Sequence, residues 1–393
     1  MVPNGWEIST LNDAGIVVID GDRGKEYPKS TEFSDSGYCV FLSAKNVSKR
    51  GFLFEQVSFI SQERHSRLRK GQVKRNNIIL TTRGTVGQFA YYDNSVPYNV
   101  VRINSGMVIL DTDKSMLQSD FFYWLCRSHI VGKQIEAASF GSAQPQLTVS
   151  IIKKLQLPIP PLEEQQKIAQ ILSTWDKAIA VTEQLLANSQ QQKKALMQQL
   201  LTGKKRLLDE NGVRFKGEWE KFSLGNIAKV YQPKTISQSQ LSFDGYPVYG
   251  ANGIIGYYCD FNHELEQIAV TCRGSTCGVV NWTMPKSWIT GNAMVINVDN
   301  NSAISKKFLF YVLSNADLKY LITGSGQPQI TGDIKNHVVH LASFKEQKVI
   351  AQVLTIADQE IEVLQRKLDC LQQEKKALMQ QLLTGKRRVK VAA

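Results

Sequence analysis

The 393-residue sequence has no apolar run long enough to cross a bilayer, since a transmembrane helix needs about 20 consecutive apolar residues. Its first residues, from Met1 to Glu7, also lack the basic start and the apolar stretch of a signal peptide. We therefore expect a cytoplasmic protein that does not associate with membranes.

Cysteine is scarce, and its spacing suggests no function. The six cysteines are scattered without a Cys-x-x-Cys pair. The closest two, Cys272 and Cys277, have no second pair of ligands at the spacing of a zinc site. His337 and His340 are predicted to be ordinary surface or core residues. The sequence therefore predicts reduced structural thiols and no metal site.

The short motifs that mark common enzyme classes are also missing. There is no phosphate-binding G-x-x-x-x-G-K-[ST] loop, no G-x-S-x-G elbow and no H-E-x-x-H helix. The Asn/Asp-Pro-Pro-aromatic signature of amino-methyltransferases does not occur either. A dispersed nuclease set of acids and a lysine is too loosely spaced to recognise in a sequence. We predict a protein without a catalytic site.

Positive charge is in excess and is locally concentrated. The net charge is +12 and the pI is about 9.3, which indicates an anionic partner. The second domain has no basic run, and its candidates for DNA contact are Lys229, Tyr231, Lys234 and Arg273. In the first half, six positive residues occur without an acid between them, namely Arg64, Arg67, Arg69, Lys70, Lys74 and Arg75. This run is predicted to contact phosphates, the alternative being a solvated basic loop.

An internal repeat determines the organisation of the chain. The segment 193–206 recurs at 375–388 with one difference in fourteen residues, an offset of 182. The same offset aligns Asp176 with Asp358, and residues 168–172 with residues 350–354. A stretch of about forty residues is therefore duplicated, which is a sign of repeated architecture.

Both copies are predicted to be long helices. Prolines precede the first copy, Glu163 and Glu164 lie in its first turn, and Gly203 follows its end. The second copy opens on Ser343 and Glu346, which have the spacing of a capping box. The start and the end of each helix are thus specified locally.

An apolar stripe with alternating steps of four and three residues follows both helices, as is typical of a coiled coil. The alternative is that each helix lies alone on its own globular core. We predict an antiparallel pair, roughly 39 residues and about 58 Å long, because it brings each basic helix end to an acidic start. Lys193 and Lys375 are expected to set the register from inward positions. The stripe residues expected to form the coiled coil and to bind partners are Leu172, Trp175, Ile179, Leu186 and Leu196, with Leu354, Ile361, Leu368 and Leu378.

The regions around the helices are also related. Gly5-Trp6-Glu7 resembles residues 217–220, and the Thr-Arg-Gly-Thr-Val-Gly loop at 82–87 resembles 272–278 with one insertion. Gln-Pro-Gln occurs at 144–146 and again at 327–329. Arg83 and Arg273 lie in the matching glycine loops, where either DNA contact or a structural role in the loop is possible.

These observations predict an α+β fold with an internal pseudo-two-fold repeat. Two mixed α/β domains alternate with two long antiparallel helices. The predicted boundaries are 1–158 for the first domain, 159–203 for the central helix, 204–217 for a polar linker, 218–341 for the second domain, 342–385 for the C-terminal helix and 386–393 for a basic tail.

This arrangement resembles the specificity subunits of Type I restriction-modification systems, over essentially the whole chain. The resemblance rests on the Pro-Ile-Pro-Pro-Leu-Glu-Glu-Gln lead at 158–165, the Leu-Leu-Thr-Gly-Lys helix ends, the glycine loop at 82–87 and the Gln-Pro-Gln segments. The second glycine loop departs from the pattern by an insertion and a cysteine, and the second helix lacks the proline-rich lead.

The resemblance implies a DNA-binding, non-catalytic subunit with two target-recognition domains. Each domain would read one half of a bipartite double-stranded site, and the helices would fix the gap and bind two methyltransferase subunits. S-adenosylmethionine is expected on those partners and no cofactor on this chain, and restriction subunits can join. From the residues alone, the alternative is a coiled-coil scaffold whose end domains bind proteins or other ligands.

Overall fold

The computed structural model describes residues 2–139, 146–251, 253–324 and 326–390. The chain divides into two compact units. Unit 1 combines residues 1–181 with 368–393, and unit 2 comprises residues 182–367. Each long helix is thus shared between the units, whereas the sequence suggested helices separate from the domains.

The strands of unit 1 form three sheets that surround its core. The sheet orders are β1-β11, β2-β10-β7-β8 and β6-β3-β9, beside a small β4-β5 hairpin. The central strand β7 is buried at every position because it is covered on both faces. The strands are β1 (Glu7–Thr10), β2 (Val17–Asp20), β3 (Cys39–Leu42), β4 (Val47–Ser48), β5 (Gly51–Phe52), β6 (Phe59–Ile60), β7 (Ile78–Thr81), β8 (Phe89–Tyr91), β9 (Val101–Ile103), β10 (Met107–Asp111) and β11 (Gln156–Ile159).

Unit 2 repeats this topology. Its sheets have the orders β12-β22, β13-β19-β16-β17 and β15-β14-β18, with a further β20-β21 pair. In both units the three-stranded sheet contains one parallel pair, β3 with β9 and β14 with β18. The strands are β12 (Glu220–Ser223), β13 (Lys229–Tyr231), β14 (Tyr246–Gly250), β15 (Gly253–Tyr258), β16 (Ile268–Thr271), β17 (Val280–Trp282), β18 (Trp288–Ile289), β19 (Ala293–Asn297), β20 (Ile322–Thr323), β21 (Gln329–Ile330) and β22 (Val338–Leu341).

Short helices connect the strands, and two long helices carry the repeat. Two of the short helices follow each other in 119–139, and one helix followed by a 3-10 turn lies in 306–321. The helices are α1 (Gln62–Arg67), α2 (Ser119–Cys126), α3 (His129–Ser139), α4 (Val149–Lys153), α5 (Leu162–Leu200), α6 (Leu224–Ile227), α7 (Lys306–Asn315) and α8 (Phe344–Leu382). In the described part of the chain, no helix is both long and apolar enough for a membrane span.

In unit 1 the start of α5 packs antiparallel to the end of α8. Asp176 forms an ion pair with Lys375, and Glu164, twelve residues earlier, pairs with Arg388, thirteen residues later than Lys375. Lys375 is largely buried, and that burial lowers its pKa against the opposing effect of Asp176. The expected antiparallel direction and the inward lysine are therefore both present in this unit.

In unit 2 the end of α5 packs antiparallel to the start of α8 through the equivalent residues. Lys193 pairs with Asp358. Arg206 Nε and Nη2 donate to the two oxygens of the buried Glu346 carboxylate, at 2.6 and 2.7 Å. Ser343 Oγ accepts a hydrogen bond from the Glu346 N–H, but the Glu346 carboxylate is directed to Arg206. Only half of the predicted capping box forms, because the arginine is the stronger partner for a buried carboxylate.

The end of each long helix completes the core of a unit. Leu382 and Leu383 belong to the core of unit 1, together with Trp6. In unit 2, Leu200 and Leu201 belong to the core, with Trp219 packed against it. The near-identical repeat segments thus perform the same packing role twice, which explains why apolar leucines recur at helix ends.

The segment 204–217 is not the polar linker that the sequence suggested. Arg206 is bound to Glu346, Leu207 packs against the core of unit 2, and a tight turn joins Asp209 to Val213 by a 2.8 Å backbone hydrogen bond. The segment is polar because its turn is exposed, but Arg206 and Leu207 fix its start to unit 2, and Arg206 Nη1 donates to Gly217 O at its end at 2.8 Å.

Candidate nucleic-acid interface

The glycine loop of unit 1 is held by its backbone and presents Arg83 to solvent. Thr82 N–H donates to Gly106 O at 2.8 Å, and Thr85 Oγ1 donates to Ala44 O at 3.3 Å. Arg83 itself is exposed. The loop is therefore a fixed platform for one positive side chain at the end of β7.

Unit 2 builds the same platform around Arg273, at the end of β16. Cys272 N–H donates to Asn292 O at 3.0 Å, and Thr276 Oγ1 donates to Ala251 O at 2.8 Å. The extra residue of this loop is absorbed before Thr276, which takes the place of Thr85 in unit 1. Arg273 is exposed, so the insertion and the cysteine leave the arrangement intact.

The second repeated motif lies directly beside the first in each unit. Leu147 N–H donates to Thr82 O at 3.1 Å, and Ile330 N–H donates to Cys272 O at 3.0 Å. The residues that follow Gln-Pro-Gln are thus hydrogen-bonded to the glycine loop in both units. Gln144 and Pro145 lie outside the described residues.

The glutamine of this motif adjoins the arginine in both units. With its side-chain amide turned to satisfy both of its polar groups, Gln146 accepts hydrogen bonds from Arg83 Nε (3.2 Å) and Nη2 (2.9 Å). In unit 2, Gln329 forms a backbone bridge with Arg273. Arg83 is therefore oriented by its neighbour, and within the described ranges the rest of its guanidinium forms no further hydrogen bond or ion pair, which suits a binding arginine.

In unit 1 a cleft of about 510 Å³ lies at the same end of the sheet. Gly21 is in contact with Asn104, and Arg23 Nη2 donates to Ser105 O at 3.3 Å, so the loop after β2 adjoins the turn that also anchors Thr82. The charged side chains that line the cleft are Asp20, Asp22, Arg23, Lys25, Glu26, Arg67, Arg69 and Lys70.

Asp22 positions two of the predicted DNA-binding residues. Its carboxylate accepts hydrogen bonds from the backbone N–H groups of Gly24 and Arg69, both at 2.8 Å, and of Lys70 at 3.4 Å. Partial burial raises the pKa of Asp22, but these bonds outweigh the burial and keep its pKa below the usual value. The side chains of Arg69 and Lys70 remain exposed, which suits contact with an anion.

The basic run of unit 1 does not form one continuous patch. Arg64 is bound to Glu26 and Glu32 and is mostly shielded, and Arg67 pairs with Glu63. A basic run without an acid within it is therefore partly neutralised by acids that lie outside it.

Arg75 lies at the opposite end of the sheet and is held internally. Its guanidinium donates to the backbone carbonyls of Asp93 (2.5 Å), Val96 (3.1 Å) and Tyr98 (3.2 Å), and it lies 4.2 Å from the centre of the Tyr92 ring. These contacts fit a structural role. The neighbouring Lys74 is exposed but lies at this end rather than beside Arg83.

In unit 2 the candidates also divide between two places. Pro233 and Thr235 meet Gly291, next to the Asn292 that anchors Cys272. The intervening Lys234 is thus at the same sheet end as Arg273 and is exposed.

The other two candidates of unit 2 lie on the edge strand β13. Tyr231 packs into a small core and its hydroxyl bonds His263 Nε2 at 2.8 Å, and burial raises the pKa of this tyrosine. The exposed Lys229 ammonium lies 5.3 Å from the Tyr231 ring. Tyr231 therefore has a packing role that the sequence did not reveal.

The stripe residues of the long helices face inward. Leu172, Leu186, Leu354 and Leu368 are buried. Five more are partly buried, namely Trp175, Ile179, Leu196, Ile361 and Leu378. A partner subunit would have to contact other faces of the helices, because the stripe is already used within the units.

Arg23 and Lys25 also line the cleft of unit 1, although neither is among the DNA-contact residues predicted from the sequence. The signal was present, since Gly21-Asp22-Arg23-Gly24 follows a β-like run and has the composition of a turn. Among the described ranges, no group of three or more His, Cys, Asp or Glu side chains is placed to hold a metal ion.

Comparison with known proteins finds the same duplication that the two domains and their matching arginine loops show. The profile of the family described as Type I restriction modification DNA specificity domain matches residues 3–188 and 216–373.

The chain belongs to this family. It is a Type I restriction-modification specificity subunit with two target-recognition domains, and such subunits are non-catalytic DNA-recognition subunits. The putative MjaX specificity subunit of Methanocaldococcus jannaschii is 25% identical, over 99% of this chain and 95% of that one. The EcoprrI specificity subunit of Escherichia coli is 23% identical over 75% of each chain.

Solved structures of specificity subunits have the same fold. The S subunit of M. genitalium covers 98% of both chains with a TM-score of 0.69 at 18% identity. A chain from a structure concerned with complex assembly of the Type I system covers 98% of this subunit with a TM-score of 0.56. The α+β fold with two repeated domains is therefore confirmed for this specificity subunit.

The internal role of Arg75 can be tested against its neighbour. We expect Arg75→Ala to lower the free energy of unfolding by about 2 kcal/mol, because three partly buried backbone carbonyls lose a charged hydrogen-bond donor. Lys74→Ala should change it by less than about 0.5 kcal/mol, as is usual for an exposed side chain. Urea denaturation measured by circular dichroism compares the two variants. Equal stability of both variants would contradict the assignment.

Proposed function

We propose that this specificity subunit reads a bipartite double-stranded DNA site, one half-site with each unit. The observation that carries the proposal is the duplicated platform of Arg83 and Arg273, held by equivalent backbone hydrogen bonds in two domains whose other surfaces differ. Residues common to both units suit contacts with the sugar-phosphate backbone, which is the same in both half-sites. Residues that differ between the units suit contacts with the bases, which differ between the half-sites.

Within this proposal, Arg83 and Arg273 contact the sugar-phosphate backbone. Each is a single exposed cation on a rigid loop, which suits positioning on the duplex, because phosphates carry no sequence information. In unit 1, Arg69 and Lys70 line the cleft at the same sheet end as Arg83. In unit 2, Lys234 lies at the same sheet end as Arg273. Arg64, Arg75 and Tyr231 are left out of the proposed contact surface, because each has internal partners.

We propose further that the long helices fix the gap between the half-sites and bind two methyltransferase subunits. The repeat segments keep Lys194 and Gln198 of α5 identical to Lys376 and Gln380 of α8, and all four side chains are exposed. Packing within the units does not require these exposed side chains to be the same in both helices. A partner subunit that binds once to each helix would require it. S-adenosylmethionine would be held by those methyltransferase subunits, and restriction subunits would join the same assembly.

The platform arginines provide a matched pair of tests. In the assembly with its methyltransferase subunits, we expect Arg83→Ala and Arg273→Ala each to weaken DNA binding similarly for cognate and scrambled duplexes. Each should reduce the slope of log K against log salt by about 1, because one phosphate contact is lost. Fluorescence anisotropy at several salt concentrations measures both quantities, with Lys153→Ala as control.

Two outcomes would contradict the proposal. Binding that does not change with salt in the unaltered subunit would favour the scaffold alternative. A loss confined to one base position would mean that the arginines read bases instead of contacting phosphates.

The ruler role predicts a change in spacing. We expect insertion of one heptad after Val181 and one after Lys367 to lengthen both helices by about 10 Å, or about 3 base pairs, with the half-sites unchanged. The insertions avoid the helix ends, because Leu200 and Leu201 are core residues of unit 2. Mapping of methylated adenines measures the spacer.

A matched control inserts seven residues after Asn211, in the exposed turn, and should leave the spacer unchanged. A spacer that stays the same after the paired heptad insertion, in a subunit that still directs methylation, would refute the ruler role.

A further inference from the structure

The segment that precedes the central strand is structurally equivalent in the two units. Val73 N–H donates to Val101 O at 2.9 Å, and His263 N–H donates to Ser287 O at 3.1 Å. Each of these residues lies five positions before the first residue of its central strand, β7 or β16. Residues 69–77 of unit 1 therefore correspond one to one with residues 259–267 of unit 2.

The charges on these equivalent segments have opposite signs. Residues 69–77 contain four positive side chains and no acid, namely Arg69, Lys70, Lys74 and Arg75. Residues 259–267 contain three acids and no Lys or Arg, namely Asp260, Glu264 and Glu266. Lys70 corresponds to Asp260 and Lys74 to Glu264, so two positions reverse charge directly. All four of these side chains are exposed.

The rest of each surface only partly offsets this difference. Among the described residues of unit 2 no helix corresponds to α1 of unit 1, and in unit 1 Lys25 adds a cation to the cleft. In unit 2, Lys234 follows the edge strand where unit 1 has Asp22, which works in the opposite direction. The strand β15 that leads into 259–267 exposes Ile254 and Ile255 rather than charged groups.

We propose that unit 1 is the electrostatic anchor of this specificity subunit, and that its half-site is bound with a much steeper salt dependence than the half-site of unit 2. This inference rests on the proposed function, since it concerns how two half-sites share the binding free energy. The phosphate term in DNA binding scales with the number of cations that replace counterions. An acidic segment at the equivalent place repels phosphates, so unit 2 depends more on apolar and hydrogen-bonding contacts to its half-site.

The magnitude follows from the cations of unit 1 that are free to contact DNA. In the described part of the chain, Lys25, Arg69 and Lys70 form no ion pair through their side chains, and all three line the cleft. With a slope of about 0.9 for each phosphate contact, these three contribute up to about 2.7 to the salt slope. Between 50 and 200 mM salt, that slope corresponds to a roughly 40-fold change in affinity.

The experiment compares two half-site duplexes in the assembly with methyltransferase subunits. Once the bipartite site is known, each duplex keeps one half-site and the spacer, at equal length. Anisotropy titrations over a range of salt give the two slopes. We expect slopes that differ by about 2, because a Lys234 contact in unit 2 offsets part of the larger slope. The variant Lys25→Ala/Arg69→Ala/Lys70→Ala should flatten only the steeper one.

A control variant removes the same charge elsewhere in unit 1. Lys114, Lys153 and Lys154 are exposed and lie at the other end of β2, where Asn12 N–H bonds Lys153 O and Met116 N–H bonds Ala14 O. Replacing these three lysines with alanine should leave both slopes unchanged. The mirror variant Asp260→Asn should strengthen binding of the shallower duplex alone.

The outcomes separate this inference from the function on which it rests. Equal slopes for the two half-site duplexes, with intact binding of the full bipartite site, would overturn the electrostatic anchor and leave the proposed function standing. Failure of the unaltered assembly to bind any bipartite site would overturn the proposed function itself. A mirror variant that altered methyltransferase assembly but not DNA binding would assign 259–267 to a protein contact and also overturn the inference.

Discussion

The pairing of a buried carboxylate at the start of one long helix with an arginine just beyond the end of the other is the interaction on which the structure depends. Glu164 is satisfied by Arg388 in unit 1, and Glu346 by Arg206 in unit 2. An unpaired carboxylate in these positions would be costly, since a buried charge that loses its partner destabilises a protein by about 3–5 kcal/mol. The two pairs therefore specify which helix end belongs to which helix start.

This constraint explains why the repeated segments are almost identical while the domains diverge. The arginine can reach its carboxylate only if the leucines before it fill the core of the same unit, beside Trp6 or Trp219. Each change in the segment would thus disturb an ion pair and a core together. The loops that surround Arg83 and Arg273 are under no such double constraint, so their neighbours can differ between units as two unlike half-sites demand.

Much of the architecture was predictable because it is specified by local signals. The bounds of the two long helices follow from prolines, acidic first turns and glycines, and both helices lie where the repeat predicts them. In the sequence, the glycine loop and the Gln-Pro-Gln motif each recur, but nothing indicates that the two motifs are in contact. Their contact depends on how the strands are ordered, which no short motif encodes.

The roles of individual charges were harder to predict, because they depend on distant partners. Arg64 and Arg75 look like surface cations in a basic run, yet acids and carbonyls from other loops bind them. Glu346 was expected to cap its own helix and binds Arg206 instead. Conversely, Arg23 and Lys25 reach the cleft only because the turn after β2 packs against Asn104 and Ser105. The sequence thus located the fold and the functional loops but not which cations remain free.

The measurement that tests the central claim most directly is a methylation map. The subunit would be expressed with its methyltransferase in a host without adenine methylation, and modified adenines would be located by single-molecule sequencing. The account predicts two short defined half-sites separated by a gap of fixed length, and no such motif when this chain is omitted. Methylation without the chain, or at a short contiguous motif, would contradict a reader made of two units.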